Sequence, residues 1–200
     1  MPSVMKALRK DLKTLNPFTY KAIPEIPNFI KTLSPKQPVS TKKAERYYKN
    51  KRNVNKVIRQ HAKTHNVTVY GNRAINSHLP RYLDKHTDDW DFFSSTPRRH
   101  AHQVERRLDK RFGGDYFRVE PAQHPGTFKV RNNITNEGVA DYTKPNQRIP
   151  STRKEGMKVA KLSWIKKQKK ETLLNPSSQF RHAKDEETLT RIRVYEKQQV

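Results

Sequence analysis

Two short stretches, Gly71-Asn72-Arg73-Ala74 and Thr87-Asp88-Asp89-Trp90-Asp91-Phe92-Phe93, decide how this 200-residue chain is read. The first follows Val67-Thr68-Val69-Tyr70, a β-branched and aromatic run, and leads into Ala74, Ile75, His78, Leu79 and Tyr82 at helical spacing. Strand, turn and helix follow from that order, because glycine supplies the freedom a turn needs and residues three or four apart share a helix face. In the second stretch, alternation along an extended chain puts Asp89 and Asp91 on one face and Trp90 on the other. Paired carboxylates repel unless a cation lies between them, and hard oxygen donors suit Mg2+ or Mn2+.

Working outward, Pro97 opens a helix that runs through Val104, Leu108 and Phe112 to the breaker Gly113-Gly114. Three β-like runs follow, at Tyr116–Glu120, Thr127–Arg131 and Gly138–Tyr142. Upstream, Ala44, Tyr47, Val54, Ile58 and Ala62 predict an amphipathic helix; here Tyr47 and Tyr48 read as core or as base-stacking aromatics. Downstream, a Pro-containing connection at 145–150 precedes two helical candidates, Ser163–Leu174 and Lys184–Lys197. The predicted fold is α+β, a mixed sheet with helices on one side. Asp141 lies in the last β-like run. Beside the Asp89/Asp91 strand it would complete three carboxylates converging on one or two metal ions, as phosphoryl transfer uses them. The same acids also read as an Asx-capped turn and a strand-end residue, and spacing alone leaves both readings open.

Lys and Arg number 43 against 19 Asp and Glu, a net charge of +24 that excludes an ordinary acidic enzyme and points to polyanionic partners. Leu, Ile, Val and Phe make up only 41 residues, so any core must be concentrated in part of the chain. Residues 1–42 hold six of the 13 prolines and no glycine, which predicts a basic, largely irregular arm ahead of a domain at 43–200. The absence of cysteine excludes disulfides, thiolate zinc sites and a cysteine nucleophile. Neither a run of about 20 apolar residues nor a secretory apolar stretch is present, so the expected location is intracellular, cytoplasm or nucleus, without a membrane span.

Taken together, the Gly71-Asn72 turn, the following helix and Thr87-Asp88-Asp89-Trp90-Asp91 resemble the nucleotidyltransferase superfamily, polymerase-beta-like and nearest the abortive-infection toxin type. Gly156-Met157-Lys158-Val159-Ala160, the helix after it, and Arg181-His182-Ala183-Lys184-Asp185 are similar to that family's closing segment. The resemblance covers about residues 55–195. It implies that Asp89, Asp91 and Asp141 are catalytic and hold two Mg2+ or Mn2+ ions. It also implies that Gly71, Asn72, Arg73, Lys169 and Lys184 bind a nucleoside triphosphate; the surrounding positive charge then points to RNA or another nucleic acid as acceptor, with a protein acceptor as the lesser alternative. Asn72 departs from the family's Gly or Ser. A reduced viral member is one form the resemblance allows, with the virion as a second location. The rival reading is a non-catalytic nucleic-acid-binding or packaging protein on a degenerate version of the fold.

Overall fold

Tyr47, Val54, Ile58 and Ala62 recur on one side of an otherwise basic segment and are buried together, so Thr41–Thr64 forms the first described helix, α1. The computed structural model describes residues 41–199, and the expected arm lies outside them apart from its last two positions. Tyr47 belongs to the core, whereas Tyr48 is exposed. Strand β1 (Thr68–Tyr70) leads into helix α2 (Gly71–His78), and a 3-10 turn at Arg81–Leu83 precedes β2 (Trp90–Phe93). Helix α3 (Pro97–Phe112) begins on proline, buries Ala101, Val104, Leu108 and Phe112, and stops at Gly113 in the left-handed region.

Strands β3 (Phe117–Pro121), β4 (Thr127–Asn132), β5 (Gly138–Thr143), β6 (Ser151–Lys154) and β7 (Met157–Ala160) follow, then helices α4 (Leu162–Leu174) and α5 (His182–Lys197). All seven strands form one sheet in the order β3-β4-β5-β2-β1-β7-β6. β1 runs parallel to β7 and β2 parallel to β5, while the other neighbours are antiparallel. No strand is expected between Tyr142 and Ser163, yet β6 and β7 form a hairpin there. Its turn is Glu155-Gly156, with φ of 51° and 81°, the doubly positive pair that a two-residue hairpin loop needs.

Alternation divides the sheet into an apolar and a polar face. Phe92 stacks on Tyr142 at 4.9 Å between ring centres, and both are fully buried under α1 and α3. On the opposite face Trp164 of α4 meets Phe93 edge-on. Among the buried polar residues is His61, completely buried on α1, stacked on His65 and 3.1 Å from Nδ1 of His100. His102 lies outside this cluster and turns to Glu105.

Burial, followed by the neighbouring His65, His100 and Arg107, pushes the His61 pKa down to about 3. The unfolded chain then binds a proton that the folded one refuses between about pH 6.5 and pH 3, so stability is lost as pH falls through that window. Thermal melts of wild type and His61→Leu from pH 7.5 to 4.5 isolate this contribution: the variant's midpoint relative to wild type should rise as pH falls.

Candidate active site

Strand register assembles this site from distant parts of the chain. β2 and β5 lie side by side with Asp91 opposite Asp141 and Phe92 opposite Tyr142. Phe92 and Tyr142 enter the core, so the two carboxylates project together from the other face. Asp89 lies one residue before β2. All three acids line a cleft of about 900 Å3, together with Gly71, Asn72, Lys169 and Lys184.

Gly71 holds φ at +65° where β1 turns into α2. A Cβ there would stand 2.0 Å from Oδ2 of Asp91 and 2.9 Å from its Cγ. Backbone conformation and contact distance thus both demand glycine. Arg73, expected at the nucleotide, is not among the residues lining the cleft. Its Nε donates to the Asp89 carbonyl at 2.8 Å, an Nη donates to the Thr87 carbonyl at 2.9 Å, and the guanidinium lies over the Trp90 ring. Arg73 therefore fastens α2 to the segment that carries Asp89.

The acids stand in an unfavourable electrostatic setting. Burial, then the charges of Asp89 and Asp141, push the Asp91 carboxyl up to about 7, while Lys184 and Lys169 oppose the shift. Asp141 is also raised, by burial first, against the pull of Lys129. Lys129 is its register partner on β4, with Nζ 3.1 Å from Asp141 Oδ2. Lys169 is held from behind by the fully buried Asp185, at 2.6 Å.

Lys129 and Arg181, which also lines the cleft, were missed as site residues, and so was Asp185 as the anchor of Lys169. Pairing the Thr127–Arg131 run with the Asp141 strand would have found Lys129. Arg181 and Asp185 bound the segment Arg181-His182-Ala183-Lys184-Asp185, but only their packing reveals what they touch.

The donors suit a divalent cation on two counts. Asp141 Oδ1 is buried and has no hydrogen-bond partner among the described residues, and Asp91 is a half-buried carboxylate beside two others. As the side chains stand, no three carboxylate or imidazole groups among the described residues are placed to share one ion. Asp89 Oδ1 accepts from the Thr87 hydroxyl at 2.9 Å, and Lys129 holds Asp141.

A raised carboxyl pKa means the folded state keeps a proton that the unfolded state releases, between about pH 4 and pH 7. Asp91 then favours folding at low pH, and this contribution is lost as pH rises through that window. In metal-free buffer Asp91→Asn should melt above wild type at pH 8, with the gap closing towards pH 4. Gly71→Ala should destabilise by at least the ~1–2 kcal/mol of a left-handed non-glycine residue, as read by denaturant unfolding.

No family model matches the chain, and no curated protein matches it. Among solved structures, that of the Megavirus polyadenylate synthase superposes with a TM-score of 0.60 at 17% identity, covering 98% of this chain. The chain spans 38% of that protein's length. JHP933 from Helicobacter pylori matches at a TM-score of 0.39 and 12% identity, covering 70% of this chain and 60% of its own, too remote to argue from. Among the described residues, no helix is long and apolar enough to cross a membrane. With its seven-stranded mixed sheet, the chain shares the fold of the Megavirus polyadenylate synthase.

Proposed function

We propose that this protein transfers a nucleotide from a nucleoside triphosphate to the hydroxyl of a nucleic-acid acceptor, RNA in the first instance. One observation carries the reading: Asp91 and Asp141 are paired in register within a cleft that also holds Asp89, Gly71, Asn72, Lys169 and Lys184. The polyadenylate synthase with the same fold supports the choice of RNA, as does the charge of +24.

In this reading Asp89, Asp91 and Asp141 hold Mg2+ or Mn2+, two ions as the family resemblance implies. Metal bound there would neutralise charge on the α-phosphate and on the departing pyrophosphate. Gly71 and Asn72 receive the triphosphate, because the bare Gly71 backbone allows close approach and the first amides of α2 face outward from its N-terminus. Lys169, steadied by Asp185, and Lys184 place positive charge where the phosphates would lie. Arg73 acts indirectly, by fixing the backbone beneath Asp89.

A second reading, a nucleic-acid-binding protein without turnover, draws on the Lys129–Asp141 ion pair, which already gives one acid a counter-charge. Incorporation of labelled nucleotide into RNA separates the two. Activity in the presence of Mg2+ or Mn2+, reduced at least a thousandfold in Asp91→Asn and Asp141→Asn with folding intact, is the expected outcome. Salt-sensitive RNA binding with no incorporation of any of the four nucleotides would establish the second reading instead.

A further inference from the structure

A second concavity, of about 600 Å3, lies between the C-terminal end of α1 and the β6–β7 hairpin, and its lining shares no residue with the cleft. Lys63, Arg153 and Lys158 line it with His65, Asn66 and Thr152, and no carboxylate does. Glu155 is the only acid in the hairpin and is bound to Arg59, so it offers the hollow no neutralising charge.

The arrangement is costly as it stands. Arg153 and Lys158 are direct partners across the antiparallel pair, and like charges in that position repel. Lys63 adds a third charge. Its stem runs over Gly156, where an added Cβ would come within 3.7 Å of Lys63 Cδ and Cε. Lys158 Nζ reaches Asn66 Oδ1 at 3.3 Å, which fixes the other wall. A charged edge strand by itself deters unwanted strand pairing, but that purpose requires neither a hollow nor a lysine from α1. Three converging cations with no acid among them match a run of phosphodiesters, whose negative charges would relieve the repulsion.

We infer that this groove is a binding site for the phosphate backbone of single-stranded nucleic acid, separate from the cleft. The inference deepens the proposed function by giving the acceptor strand a place to be held, and its test omits nucleoside triphosphate so that it stands or falls apart from catalysis.

The experiment measures binding of an unlabelled-end 30-nucleotide oligo(A) RNA to the full chain at several salt concentrations. The triple variant Lys63→Glu/Arg153→Glu/Lys158→Glu is compared with an equal reversal on α3, Arg98→Glu/Arg106→Glu/Lys110→Glu. Each single-strand phosphate contact contributes roughly 0.7 to the slope of log affinity against log salt. Loss of about 2 from the slope in the groove variant, with the α3 variant near wild type, supports the site. Equal losses in both variants, or none in the groove variant, overturn it. Amine-labelling of the wild-type chain gives a second readout independent of how the variants fold. Protection of Lys63 and Lys158 by RNA supports the groove, and unchanged labelling overturns it.

Discussion

Two carboxylates are placed side by side on parallel strands, and one of them, Asp91, is pressed against the bare backbone of Gly71. Much of the cleft depends on this arrangement. Burial and mutual repulsion disfavour the charged pair, and the surrounding groups can be understood as responses to it. Lys129 approaches Asp141 from the next strand, Lys169 and Lys184 act on Asp91 from the last two helices, and Asp185 steadies Lys169 from behind. Such an array is poorly suited to an idle core and well suited to receiving a cation or a phosphate.

The same alternation that exposes the acids secures the fold. Phe92 and Tyr142 flank the acids in sequence and point the other way, stacked beneath α1 and α3. Slipping β2 by one residue would bury Asp91 in that aromatic layer and expel Phe92, so packing of the core fixes the geometry of the site. Aromatic pairs of this kind are worth about 0.5–1.5 kcal/mol beyond their buried area. Arg73 completes the link by tying α2 to the carbonyls of the strand's approach.

Much of this was legible in the residues. The strand-to-helix order around Gly71, the alternation around Trp90 and the proline and glycine bounds of α3 each rest on local chemistry that survives in the folded chain, although Gly71 and Asn72 open α2 itself instead of forming a turn ahead of it, and α2 stops at His78, short of Leu79 and Tyr82. The β6–β7 hairpin was not legible, because its strands have four residues each and Glu155-Gly156 is a weak turn signal beside Asn-Gly or Asp-Gly. Arg73 was misplaced for another reason. It lies beside the turn in sequence, but the helical twist of α2 carries its side chain towards Asn55 and Trp90. The Lys129–Asp141 pair depends on strand register, which a single residue run does not reveal.

The claim on which the functional account depends is that Asp89, Asp91 and Asp141 form a divalent-cation site. Titration of the metal-free full chain with Mn2+, followed by electron paramagnetic resonance without nucleotide, tests it directly. The account predicts saturable binding in the wild type that weakens at least tenfold in Asp91→Asn and in Asp141→Asn, with folding preserved. Binding of equal strength in wild type and both variants, or no Mn2+ binding in any of them, would contradict it.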